Sequence, residues 1–412
     1  MKTLSTDTCI IGGGAAGLLA AGYLGQFCLK TIIVEPNKLL GKKLRITGKG
    51  RCNLTNNCEV KQFLENVPVN SKFLYGAINT FTPADTMLLF EKLGVPLKTE
   101  RGARVFPQSD NAHDAANALE RFAKKGGARH LQERAVSIKT ANGEVCGVIT
   151  DQSEISCKKV LLCTGGASYP GTGSTGDGYE IASVLGHTIV PPKPSLVPLE
   201  TADDYCEELS GFSLKNVTFS IVERETGKPL FSELGELLFT HFGISGPLVL
   251  SASSHLRGED FSKLRAFIDL KPGLDEKQLD DRILRDFAKY ANKEFKNSLT
   301  DLAGHSMIPV LVRLSGIPAD EKVNSVTRAQ RQALVKLFKE FPVNITGKRP
   351  IAEAIVTSGG VSVKEINPKT MASKLVNGLY FAGELIDVDA YTGGFNLQIA
   401  WSTAFAAATA MA

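Results

Sequence analysis

The sequence predicts an α/β fold: a Rossmann-like nucleotide-binding domain, discontinuous in the chain, with an inserted β-barrel domain that carries a small helical subdomain. Three observations predict it. A glycine pattern between two apolar runs opens the chain, a proline-rich stretch at Val190 to Pro198 introduces a series of short strands, and the end of the chain supplies another buried strand and helix.

The opening element is the apolar run that begins at Thr8, the pattern Gly12-x-Gly14-x-x-Gly17, a small-residue helix, and Thr31-Ile-Ile-Val34 ending in Glu35 and Pro36. Each glycine has a physical task. Gly12 permits the turn out of the strand, Gly14 admits a pyrophosphate close to the backbone, and Gly17 lets helix and sheet pack closely. The amides of Ala15 and Ala16, at the positive end of the helix dipole, suit the pyrophosphate. Glu35 lies where a carboxylate accepts from an adenosine ribose.

The next segment, Leu39 to Asn57, is rich in Gly, Lys and Arg without a useful period, so an extended loop along the cofactor is expected. It carries Lys42, Lys43, Thr47, Gly48, Gly50, Arg51, Cys52 and Asn53 as candidate contacts. Residues 70 to 95 read as helical, with Gly94 as the stop; Ser109 or Asp110 caps a helix through Phe122. Ala135 to Thr140 and Val145 to Thr150 flank Asn142-Gly143 and predict a hairpin whose start, Ala135 and Val136, is a candidate contact. A buried strand at Val160 to Cys163 runs into Thr164-Gly165-Gly166. A second glycine pattern, Gly171 to Gly176, lacks a strand before it and an acidic strand after the helix Gly178 to Leu185. It reads as a loop within the same domain.

Beyond the prolines come strands at Val217 to Val222, Glu236 to Thr240 and Leu264 to Asp269, then helical periodicity at Lys277 to Ala291, Met307 to Leu314 and Arg328 to Phe338. The tail returns to the first pattern. Gly378 to Gly383 is a strand ending in Glu384, followed by Asp387, and Gly393-Gly394 opens a helix at Leu397 to Met411. The expected nucleotide domain is therefore residues 1–190 and 350–412. Residues 191–349 form the cap, with the barrel at 191–272 and 342–349 and the helical insert at 273–341.

The chain has 412 residues and a net charge of +4, a balance on which neither a nucleic-acid nor a membrane partner is expected. A phosphate-rich cofactor accounts for the basic cluster at Lys42 to Arg51. The eight cysteines show no zinc-ligand pairing, and no apolar run is long enough to cross a bilayer, so a cytoplasmic protein without bound metal is expected.

Several blocks are more selective than the glycine pattern: Gly41 to Asn56, Arg104 to Pro107, Phe239 to Pro247, Thr357 to Val361 and Gly383 to Asn396. In these the chain resembles the aminoacetone oxidase/BaiN-like flavoprotein family. The resemblance implies non-covalent FAD in a glutathione-reductase-like domain. It also implies contacts from Ala15, Glu35, Thr47, Gly48, Asn53, Val136, Thr164, Gly165, Gly383, Glu384, Asp387, Asn396 and Leu397, with Thr47 replacing a more usual serine.

The helix that opens at Gly393-Gly394 would face the flavin's pyrimidine end, where its dipole stabilises negative charge. His241, Tyr391 and Arg51 are the catalytic candidates, each with a structural role as the alternative. Cys52 and Cys58, with five residues between them where the flavin disulfide reductases have four, do not match the spacing of those enzymes. The expected activity is hydride transfer between a small molecule and flavin N5, with oxygen or transient NAD(P)H completing the cycle. The rival is a flavin-binding sensor or RNA-associated protein with structural FAD.

Overall fold

The computed structural model describes residues 1–256 and 258–412. Two compact units account for them, Met1–Ser195 with Pro350–Ala412, and Leu196–Arg349.

The first unit is built on a five-stranded parallel sheet. Its strands are β1 (Thr8–Ile11), β2 (Thr31–Val34), β3 (Arg129–Leu131), β4 (Lys159–Leu162) and β5 (Leu379–Phe381), in the order β5-β4-β1-β2-β3. β1 and β2 are buried along their whole length. That follows from covering both faces of a parallel sheet, and it is why these strands read as unbroken apolar runs.

Three helices frame the site: α1 (Ala15–Gln26), α2 (Ala112–Lys125) and α3 (Phe395–Met411). α1 is nearly all Ala, Gly and Leu because it is approached from more than one side. A Cβ on Gly22 would lie 2.1 Å from the Phe122 ring of α2, and one on Gly25 would lie 2.3 Å from Gly126. Against α3, Tyr23 meets Phe405 edge-on at 4.8 Å.

α3 is also tied to the short strand Thr55–Asn56 by a buried polar network. Gln398 Oε1 accepts from Thr55 Oγ1 (2.6 Å) and Thr86 Oγ1 (2.8 Å), its amide donates to the Phe81 carbonyl, and the Trp401 indole donates to the Leu54 carbonyl at 2.9 Å. Every polar atom of the buried Gln398 side chain thereby has a partner, as burial requires.

The hairpin forms as the sequence predicts, from Ala135–Ala141 and Glu144–Thr150, with Asn142 (φ 54°) and Gly143 (φ 78°) both left-handed. That is the turn Asn-Gly favours. Two expectations are corrected. The segment after Glu35 is not loop throughout, because Lys42–Ile46 forms one helical turn that buries Leu44 and Arg45. Gly41, left-handed at φ 66°, starts it, and five residues are too few to leave a period. The cap of α2 is Asn111, whose side chain accepts from the His113 amide, rather than Ser109 or Asp110. Ser109 instead donates to Asp114.

The second glycine pattern is a loop, as expected, and delivers Gly176 as the N-cap of the helix Asp177–Val184. The proline-rich stretch pairs antiparallel with Val356–Val361 as the strand Ile189–Ser195. Prolines are accommodated there because the ribbon has only two strands, so each keeps a free edge.

The second unit centres on a seven-stranded sheet in which the long hairpin Ser213–Glu223 and Pro229–Thr240 pairs on one side with Leu264–Asp269. Its two edges, Phe341–Val343 and Ile345–Lys348, are separated by Asn344 alone. One bent segment thus pairs with Leu264–Asp269 through its first half and with Leu199–Thr201 through its second. Helices Glu276–Lys289, Met307–Ser315 and Arg328–Lys339 share the core of this unit through Leu279, Ile283, Leu311 and Phe338.

Candidate functional site

The glycine turn between β1 and α1 is held by close backbone approach. Gly12 has φ 111°, and a Cβ there would stand 2.5 Å from the Cys163 carbonyl oxygen. A Cβ on Gly17 would stand 2.0 Å from the Gly12 oxygen. Gly14 is the opposite case: nothing lies within 4 Å of its Cβ position.

No side chain caps α1. The first-turn amides, Ala15 and Ala16 among them, therefore have no intrahelical partner and border open space at Gly14. The Glu35 carboxylate is fixed beside them, accepting from the Gly13 amide (2.9 Å), the Asn37 amide (3.0 Å) and Asn37 Nδ2 (2.7 Å). Pro36 follows directly.

The basic segment is pinned at several points. Arg45 is buried and donates to Leu40, Asn117 and Glu120, which fastens the turn to α2. Lys42 Nζ reaches the Gly171 carbonyl at 2.8 Å. Thr47 donates to the Lys43 carbonyl, and the Cys52 amide returns to the Thr47 carbonyl. Gly48, Lys49, Gly50 and Cys52 all have positive φ, so the chain coils tightly before Asn53.

Asn53 Oδ1 is then buried without a hydrogen-bond partner among the described residues. A buried amide oxygen left unpaired costs about 1–3 kcal/mol. Arg51 points into a different setting, paired with Glu100 and Asp110 and lying 4.3 Å over the Phe106 ring.

The tail closes onto these segments. Lys43 and Glu384, 341 residues apart, are joined at 2.7 Å. Lys43 also donates to Ser168, while Glu384 Oε1 accepts from Ser168 Oγ and the Thr357 amide. Gly166 fits only as glycine, since its Cβ would sit 2.3 Å from Thr357 Oγ1. Gly383 brings the sheet to α1 and α3, its Cβ position lying 3.4 Å from Ala16 and 3.8 Å from Ala400.

Asp387 accepts from Asn70 Nδ2 through both its carboxylate and its carbonyl. Asn396 holds the preceding loop by accepting from the Ala390 amide and donating to the Ala390 and Tyr391 carbonyls, and Leu397 follows it in the first turn of α3. Asn56 links the Gly393 carbonyl to that of Gly102. Gly394, at φ 98°, is the N-cap of α3 without a side-chain cap.

Thr164 Oγ1 is buried without a partner among the described residues, beside Gly165 at φ 81°. Ala135 and Val136 stand at the start of the hairpin, Val136 with 57% of its surface exposed. His241 belongs to the second unit, where it is exposed against Phe242. Ser168, Thr357 and Asn70 are not among the sequence candidates. Thr357 lies in one of the selective blocks, whereas nothing local marks Asn70.

All described cysteines are free thiols. Burial pushes the Cys52 and Cys163 thiols well above the ordinary range and Cys58 up to about 11. Because the thiolate is the reactive form, a disulfide reagent at mildly alkaline pH should modify exposed Cys28 and Cys146 in the native protein. Cys52 and Cys163 should react only after denaturation, and reduction with NADPH should expose no new thiols. A rise in free thiols would contradict this.

Fold and site define a mixed α/β protein with a Rossmann domain. The chain belongs to the HI0933-like protein Rossmann-domain family, whose model matches residues 6–410. It is 32% identical over 407 residues to a ribosomal RNA dihydrouridine synthase of Escherichia coli K12, covering 98% of this chain and 97% of that one. It is 29% identical over 409 residues to a 3-dehydro-bile acid delta(4,6)-reductase of Clostridium scindens, covering 98% of each. In fold it is similar to a 3-ketosteroid-delta4-(5alpha)-dehydrogenase from Rhodococcus jostii, with a TM-score of 0.52, 13% identity, and coverage of 98% and 97%. No helix among the described residues is long and apolar enough to cross a membrane.

Proposed function

We propose that the chain binds FAD non-covalently and reduces a carbon–carbon double bond conjugated to a carbonyl, with a uracil ring in RNA as substrate and NAD(P)H as transient hydride source. The cofactor part rests on one observation. The start of α1, uncapped by a side chain and bordering open space at Gly14, and the start of α3, likewise uncapped, belong to the same unit as the unpartnered Asn53 Oδ1. The reaction part is supported by the names of the two relatives, both of which describe saturation of such a bond.

In this reading the amides of Ala15 and Ala16 hold the pyrophosphate, and Glu35 accepts from the ribose hydroxyls. Asn53 Oδ1 takes a donor from the cofactor. Asp387 and the start of α3 serve the flavin half, where the dipole favours negative charge. Bound FAD supplies the hydride carrier at N5. The saturated product also needs one proton, for which His241 and Tyr391 are the candidate donors. We expect His241→Ala and Tyr391→Phe to lower turnover, by roughly 100-fold at a true donor, with FAD content unchanged. Steady-state assays with parallel FAD quantitation check this, and unchanged turnover in both removes them from the reaction.

The deciding experiment follows flavin absorbance anaerobically. Bleaching by NADPH or NADH, followed by recovery of colour on adding uridine-containing RNA, is expected. Bleaching by aminoacetone and not by NAD(P)H would favour amine oxidation. Flavin that nothing reduces would mark the cofactor as structural, and a colourless protein unable to take up FAD would overturn the proposal entirely.

A further inference from the structure

One cationic turn in the first unit lies outside the cofactor segment. Strands Leu97–Glu100 and Arg104–Pro107 are joined by Arg101-Gly102-Ala103, with Gly102 (φ 75°) and Ala103 (φ 56°) both left-handed. Neighbours fix the turn in place. The Asn57 amide donates to the Ala103 carbonyl at 2.7 Å, Asn56 Nδ2 to the Gly102 carbonyl at 2.9 Å, and Arg104 Nε to the Arg101 carbonyl at 3.0 Å.

The same Asn56 Nδ2 also reaches the Gly393 carbonyl at 3.2 Å, so one side-chain amide couples the turn to the loop that opens α3. The nearby acids are already committed: Glu100 pairs with Arg51 and Lys98, and so does Asp110. Arg101 and Arg104 are exposed, and among the described residues neither has an ion-pair partner. Arg104 also lies 5.9 Å from the Phe106 ring, which limits where its guanidinium travels.

Two uncompensated guanidinium groups on a rigid turn, braced against the segment assigned to the flavin, are placed to meet an anion that extends beyond the reacting ring. We propose that Arg101 and Arg104 are backbone-phosphate contacts for a single-stranded RNA substrate and hold the nucleotide chain beside the mouth of the site. This rests on RNA being the substrate, as proposed for the function. The near-neutral whole-chain charge averages over a local excess of this kind and does not register it.

The test uses the FAD-loaded full chain and a fluorescein-labelled, single-stranded, uridine-containing RNA, with binding read by anisotropy across a salt series. Arg101→Ala/Arg104→Ala should weaken binding roughly tenfold at low salt and flatten the log–log salt slope by about 1.4, at roughly 0.7 per phosphate contact. Bleaching by NADPH should be unchanged, showing the variant folded and loaded. The control Lys277→Ala/Arg285→Ala removes the same charge from an exposed helix of the second unit and should leave the slope unaltered. A wild-type slope in the first variant, an equal loss in the control, or no RNA binding by the wild type would each overturn the inference. The flavin reading stands or falls separately, on bleaching by NADPH.

Discussion

Gly17→Ala is expected to give a protein that no longer retains FAD and unfolds at markedly lower denaturant. The new methyl would lie 2.0 Å from the Gly12 carbonyl oxygen, with Cys163 Sγ at 3.2 Å. The obstacle is backbone, so relief requires moving α1 off the turn. Overpacking of this kind costs typically about 1–3 kcal/mol. Against it stands the gain of about 1 kcal/mol from replacing glycine inside a helix, and the clash wins because no side chain can step aside. Urea titration and the FAD content of purified protein read the two effects. Gly14→Ala supplies the contrast. With nothing within 4 Å of its Cβ position, stability should hold while FAD affinity falls, because the methyl projects where the pyrophosphate is assigned. Loss of stability in Gly14→Ala, or full FAD retention in Gly17→Ala, would contradict this account.

Gly394→Ala should be nearly as damaging, from the other end of the chain. The residue sits at φ 98°, and its Cβ would meet the Thr55 carbonyl oxygen at 2.3 Å and carbon at 2.4 Å. Left-handed strain adds about 1–2 kcal/mol to the steric term. Relief would pull α3 away from Thr55–Asn56 and loosen the Thr55–Gln398 bond and the Asn56–Gly393 bond together. We expect a lower melting temperature and a shifted flavin spectrum in whatever FAD remains. A wild-type spectrum with wild-type melting would show that the junction of strand and helix does not matter to the site.

What could be read from the residues follows from which forces are local. The β1-α1-β2 unit was legible because Gly17 packs on Gly12 and Glu35 is held by Gly13 and Asn37, all within one strand-helix-strand unit, and the Asn142-Gly143 hairpin because a two-residue turn dictates its own dihedral angles. The turn at Lys42–Ile46 was not, since one turn of helix leaves no period and its stability comes from Arg45 reaching α2. Asn70 was invisible for the same reason: its meaning lies in two bonds to Asp387, far along the chain. Arg51, a candidate by composition, has two carboxylate partners supplied by a separate strand and loop. Pairings of this kind are decided by topology, and a single sequence carries no local trace of them.

The order of the sheet, with β5 beside β4, bears on how the protein is made. During synthesis the segments through Ser195 emerge first, yet the edge of β4 stays uncovered until Leu379–Phe381 leaves the ribosome. At roughly 5–20 residues per second this delay is on the order of tens of seconds. Leu196–Arg349 can settle into its own core in that interval. Until β5 arrives the nascent chain therefore passes through a stage with a bare apolar strand edge on which chaperones, and aggregation, can act.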